Sequence, residues 1–433
     1  MEMRNGKGEA LRPSWEEILF GAERRLALDI VTEIADSLLK PPESWIPSGR
    51  AETYRWRRGI SLATGSAGLT LFFAYLNDCR APGTSCREIV RRYTEHLADG
   101  LERVSLTMGF AEGNTGVLWA ADHSCRKVDL EFPGLKATME ELDSSLIEES
   151  VASAGPDLWG GRVGHGVFAL DRSEHRPTRL LLKSIVKDLE SNQRESGAAA
   201  TWPRERIQPS PVAGRRYPRS ITFPGVAHGL AGIVSFLSLA GAAGIEVSTT
   251  REVCESAWMW LKQRDNDEKG LPIAAWGNER SSICDREGWR NGRLGVVAAL
   301  MNSGRKLEHE DMYRWALTRA RCLDESLREH IEITECGLSN GLVGFGHLFN
   351  RMYQISGDDQ LADAARFWFL RLMSRHNKGH GVGGFTTQGF TQEGDSCELH
   401  NPGFLYGSAG IGLGLLGAIA SEAAAWDRAL LLS

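Results

Sequence analysis

Gly229-Leu230-Ala231-Gly232, with the apolar run IVSFLSLAGA (233–242) behind it, is the stretch that decides how the rest of the chain reads. Two glycines three residues apart open a segment that is apolar on nearly every face, the signature of a buried helix rather than a surface one. The same pattern recurs at Gly65-Ser66-Ala67-Gly68, Gly113-Asn114-Thr115-Gly116, Gly161-Arg162-Val163-Gly164, Gly292-Arg293-Leu294-Gly295, Gly341-Leu342-Val343-Gly344 and Gly407-Ser408-Ala409-Gly410. A single such pair means only close helix packing. Seven copies, 48 to 68 residues apart, make a repeat.

Between the apolar tails lie charged segments with helical periodicity: 15–39, 86–104, 135–151, 178–191, 249–263, 308–328 and 359–375. Each repeat is therefore a helical hairpin with a polar-faced outer helix and an apolar inner one. Such a pair cannot bury its apolar faces alone, so the hairpins are expected to stand side by side and close. The expected fold is all-α, an α/α toroid of seven hairpins. It forms one domain over 1–433, with insertions at about 198–224 and 377–403. The glycines are expected to let each loop turn sharply and let helices approach closely. All seven inner helices then start at one end of the ring. Their unpaired N–H groups and roughly half a positive charge each would favour an anion there.

Bulk composition excludes several classes. With 42% hydrophobic and 24% charged residues the chain is globular, and a net charge of −6 gives no electrostatic case for nucleic acid. No apolar run reaches membrane-spanning length and no signal-peptide core follows Met1, so a cytoplasmic location without membrane attachment is expected. The eight cysteines form no CxxC pair, which argues against a disulfide framework.

Chemistry is expected in the loops ahead of the glycines. Loop four, Pro224-Gly225-Val226-Ala227-His228, places a histidine at a helix start, where it acts as an acid or base or merely caps. Loop three carries Asp157, a cap or an orienting partner, and His165 one turn inside its helix reads as packed. Loop five holds Arg286 and Arg290, and loop six holds Cys336, Ser339 and Asn340.

The seven-fold glycine ladder with the His228-Gly229 step resembles the lanthionine synthetase C (LanC-like) peptide cyclases, over about 55–420. The resemblance implies a toroid whose mouth holds a catalytic zinc. The zinc activates a peptide cysteine for addition to dehydroalanine or dehydrobutyrine. It also implies that the acid/base histidine is His228, the aspartate Asp157 and the arginine Arg286. The zinc ligands depart from the pattern: Arg290 stands at the first cysteine, Ser339 and Asn340 at the Cys-His pair, and Asn291 where a tyrosine often follows. Arginine, serine and asparagine cannot rebuild a thiolate–imidazole site, so no zinc or other cofactor is expected. Cys284, Cys336, Cys397 and His400 are the alternative ligands in nearby loops.

The expected activity is zinc-independent thioether cyclisation with Asp157, His228, Arg286, Arg290 and Asn340 as site residues. Helix ends and Arg290 would favour the thiolate. The implied partner is a precursor peptide with a leader segment. The basic stretch 202–223 is either its docking insertion or a solvated loop, and 380–403 is a candidate lid. A separate dehydratase or kinase/lyase enzyme would supply the dehydrated residues. The rival reading is a non-catalytic scaffold or chaperone for the precursor and its enzymes. A toroidal glycosidase or terpene cyclase is a weaker rival, because Glu112, Asp157 and Glu287 form no evident pair and no DxDD occurs.

Overall fold

Every residue of Ser66–Leu76 and of Ser408–Ile419 is buried, which is what an all-round apolar helix demands. In chain order the principal α-helices of the described residues are α1 (Gly21–Leu38), α2 (Ser66–Leu76), α3 (Cys86–Arg103), α4 (Asn114–Lys127), α5 (Leu135–Glu148), α6 (Arg162–Leu170) and α7 (Arg176–Ser191). They continue with α8 (Leu230–Ala242), α9 (Val247–Asp265), α10 (Arg293–Lys306), α11 (Glu310–His330), α12 (Leu342–Ser356), α13 (Asp359–Met373) and α14 (Ser408–Ile419). This computed structural model describes residues 15–40, 58–78, 85–148, 155–196, 199–202, 204–205, 220–221, 223–265, 287–330, 333–390 and 396–433.

The even-numbered helices form the inner ring. Each packs on the next, and α14 packs back on α2, so the toroid closes. The outer helices are amphipathic: α3 buries Cys86, Ile89, Val90, Tyr93 and Leu97 at helical spacing. Ser85 and Asp358 cap α3 and α13 by accepting the backbone N–H of Glu88 and Leu361. The first helix departs from expectation. Segment 15–39 precedes the first motif, yet α1 packs on α14 and α13, and so completes the last hairpin rather than the first. The Trp15 indole N–H donates to the Gly417 carbonyl (2.9 Å), and the Ile18 N–H to that of Ala418 (2.8 Å). The two ends of the repeat array are thus joined by hydrogen bonds as well as by packing.

The glycine motif has a local cause. The first glycines are extended, near φ −113 to −132 in α2, α4 and α6, so left-handed freedom is not the reason. Space is. A Cβ on Gly113, Gly161, Gly229 or Gly407 would strike the carbonyl of Thr107, Gly155, Phe223 or Asn401 in its own loop. A Cβ on the second glycine of the pair would strike the carbonyl of Phe110, Leu158, Val226 or Phe404. Close approach is therefore chiefly loop to helix.

These carbonyls also change the expected electrostatics. The first amides of α4, α6, α8, α12 and α14 donate to Thr107, Gly155, Phe223, Glu335 and Asn401 at 2.8–3.0 Å. Second amides, those of Ala231, Val343 and Ala409, donate to Pro224, Cys336 and Pro402. The helix starts are largely capped by their own loops, so the open crown of N–H donors expected from sequence is not there.

Among the described residues, three two-stranded antiparallel sheets occur in or beside the insertions: β1 (Arg194–Ser196) with β2 (Ala199–Thr201), β3 (Arg204–Glu205) with β4 (Ser220–Ile221), and β5 (Thr387–Phe390) with β6 (Ser396–Leu399). Most of 202–223 lies outside the described residues. The insertion before loop seven runs from α1, where the Gly379 N–H meets Glu33 (2.7 Å), to the mouth end of α14, where Ser408 Oγ–H meets the Val382 carbonyl (2.6 Å). Among the described residues no helix is long and apolar enough to cross a membrane.

Candidate active site at the mouth of the ring

Seven backbone hydrogen bonds tie the seven loops into one belt. The Ala63 N–H donates to Ala111, Ala111 to Trp159, Trp159 to Ala227 and Ala227 to Arg290. Trp289 then donates to Ser339, Ser339 to Leu405 and Leu405 back to Ala63, all at 2.8–3.2 Å. The acceptors are the residues two before each first glycine. The belt fixes where the next residue of each loop stands: Thr64, Glu112, Gly160, His228, Asn291, Asn340 and Tyr406, all at least partly exposed. Repetition of the fold thus turns one sequence position into a ring of side chains around the mouth.

On one side of that ring four residues form a continuous polar chain. The His228 imidazole Nδ1 lies 3.1 Å from Asp157 Oδ2. Asp157 Oδ1 accepts the Gly160 N–H at 3.1 Å, and the carboxylate is 2% exposed. Arg290 Nη2 lies 3.2 Å from His228 Nε2, and its Nη1 donates to the Tyr406 hydroxyl at 3.3 Å. A guanidinium has no acceptor, so Nε2 must accept. Nδ1 therefore carries the proton and donates to Asp157, and these partners assign the neutral tautomer. The Trp159 ring lies under both groups, 4.8 Å from the Arg290 carbon and 5.4 Å from the His228 ring. Arg290 Nε is buried with no hydrogen-bond partner among the described residues.

Asp157, His228 and Arg290, read from sequence as site residues, are thus brought into direct contact. Asn340 stands one loop further on, where its Oδ1 lies against Gly288. Ser339 belongs to the belt and is fully buried. Arg286 lies outside the described residues, as does Cys284. Trp159 and Tyr406 were missed as site residues. Aligning the seven loops on their first glycine would have pointed to Tyr406, which stands in the same position as His228.

The ligand question turns on what occupies those positions. Arg290 fills the mouth with a cation stacked on an indole, and Ser339 and Asn340 offer no thiolate or imidazole, so the side chains present do not fit a tetrahedral zinc. Among the described residues no group of three His, Cys, Asp or Glu side chains is placed to hold a metal. Burial pushes the Cys336 thiol up to about 12, which keeps it protonated. Cys397 sits on β6, and the His400 ring faces that of His380 at 6.3 Å. Glu287 is held by Arg293 (2.6 Å). His165 is buried as expected. Its pKa is lowered to about 4 by burial and by the nearby Arg162.

The model of the lanthionine synthetase C-like protein family matches residues 58–431. No curated protein matches the sequence. A solved structure, nisin cyclase, superposes with a TM-score of 0.68 at 16% identity, over 94% of this chain and 98% of that one. At that identity the likeness is one of fold, and it confirms the toroid.

Proposed function

This chain belongs to the lanthionine synthetase C-like family, and on that premise we propose that it closes thioether rings in a dehydrated peptide without zinc. The observation that carries the proposal is the chain Asp157–His228–Arg290–Tyr406 at the mouth. A free thiol has a pKa near 8.5, so both a base and a positive charge are needed to hold its anion. His228 is the base, and Arg290 is the charge.

In the resting geometry the Nε2 lone pair is capped by Arg290. An incoming peptide cysteine displaces the guanidinium from Nε2, gives its proton to that nitrogen, and leaves a thiolate paired with Arg290. Asp157 stabilises the imidazolium so formed. The sulfur then bonds to Cβ of the dehydrated residue, and the double-bond pair moves toward the carbonyl oxygen as an enolate. Arg290 and the Tyr406 hydroxyl face that charge. The imidazolium returns its proton to Cα, which leaves a thioether and a neutral His228. The substrate is a leader-bearing precursor, and a separate dehydratase or kinase/lyase supplies its dehydro residues.

The same cap favours a second reading. A base whose lone pair is already occupied suits a scaffold that binds the precursor and does not turn it over. Incubation with a synthetic peptide carrying one cysteine and one dehydroalanine separates the two. Cyclisation conserves mass but removes the thiol, so alkylation followed by mass spectrometry reports it. Turnover by the unaltered protein and its loss in His228→Ala is the expected result. Binding without turnover would establish the scaffold.

A further inference from the structure

The segment 424–432 passes inside the ring, between the belt loops and the inner helices α6, α8 and α12. Trp426, Asp427 and Leu430 to Leu432 are at most 2% exposed. Ala429 shares an apolar space with Ala63, Ala111, Trp159, Trp289 and Leu405, which come from five of the seven belt loops. Apolar burial alone would hold such a plug, yet it carries directional anchors at each level. Asp427 is bound by Arg351 (2.6 Å) and His347 (2.7 Å) of α12. Arg428 reaches Asp171 at the end of α6 (3.1 Å). The Leu431 carbonyl accepts Ser235 Oγ–H of α8 (2.9 Å).

The last anchor reaches the mouth. The Leu430 carbonyl accepts the indole N–H of Trp289 at 3.0 Å. Trp289 is 2% exposed, donates its own backbone N–H to the belt, and is covalently joined to Arg290. We infer that segment 424–432 is an axle that positions loop five, with Trp289 as the positioning residue that sets the Arg290 guanidinium against His228. The anchors on α6, α8 and α12 fix the axle, and the Leu430 carbonyl fixes the loop. The positioning stands on geometry alone, while its effect on turnover rests on the cyclase reading.

Trp289→Phe tests this, because it keeps an aromatic ring in the site and deletes the N–H, leaving the Leu430 carbonyl unpaired. Hydrogen exchange read by mass spectrometry is expected to speed up about tenfold at 287–295, with the α2 amides unchanged. Ser235→Ala, which loosens the axle from α8 without touching loop five, is expected to speed the same amides about threefold. On the dehydroalanine peptide, Trp289→Phe is expected to lower kcat about tenfold with KM within about twofold, and to have less than about a twofold effect in an Arg290→Ala background. Unchanged exchange at 287–295 in either variant overturns the axle. A tenfold loss that persists in full without Arg290 overturns Trp289 as acting through it. If the unaltered protein turns over no peptide, the cyclase reading fails, and the two exchange measurements still decide the axle.

Discussion

Replacing Arg290 by alanine removes the cation that lies against His228 Nε2. The guanidinium stands 3.2 Å from Nε2, so a thiolate or enolate accepted there lies roughly 4 Å from it, where two unit charges interact by about 4 kcal/mol at an effective dielectric near 20. Arg290 is partly exposed, and solvent screening cuts the useful part to about half, about 2 kcal/mol or roughly 30-fold in kcat/KM. The loss of stability is smaller, about 1–2 kcal/mol from the Trp159 face and the Tyr406 hydroxyl. Arg290→Lys keeps the charge but loses the planar stack and the paired N–H donors, so it falls between the two. The assay is thiol consumption in the dehydroalanine peptide, normalised to folded protein by calorimetry. Turnover in Arg290→Ala equal to that of the unaltered protein would refute the electrostatic reasoning, because the uncapped Nε2 alone would then suffice.

Gly410→Ala puts a methyl group onto the Phe404 carbonyl at the start of α14, and is expected to cost about 2–3 kcal/mol of stability, read by denaturant titration. His165, buried and lowered from 6.5 to about 4, holds fewer protons folded than unfolded. Its stabilising contribution is complete above about pH 6.5 and is lost as pH falls toward 4, by about 3 kcal/mol. Urea midpoints across that interval should therefore fall less steeply in His165→Leu. Asp157→Asn keeps the shape of the dyad but deprives the imidazolium of its counter-charge, so kcat should fall at least about 100-fold with little change in peptide affinity, read by the same thiol assay.

The inner helices were legible because the constraint that makes them, a loop carbonyl lying where a Cβ would be, acts on sequence directly and demands glycine. His228 and Asp157 were legible because their loops keep the spacing of the family. What escaped belongs to the backbone or to closure. The belt runs through Ala63, Ala111, Ala227 and Leu405, whose side chains carry no hint of a carbonyl bonded to the next loop. The pairing of α1 with α14 spans nearly the whole chain, beyond the reach of any local period. The axle lies beyond the last glycine repeat and carries no motif of its own, and only its place between the loops gives Leu430 a role. Arg290 looked like a substituted ligand, but the structure makes it the cap on the histidine, a relation set by two loops 62 residues apart.

The central claim is that Asp157, His228 and Arg290 do in this chain what a metal would otherwise do. Cyclisation of the dehydroalanine peptide by protein stripped with a strong chelator, before and after adding back one equivalent of zinc, tests it most directly. Turnover that survives stripping, gains nothing from zinc and disappears in His228→Ala is the expected result. Turnover abolished by the chelator and restored by zinc would contradict it.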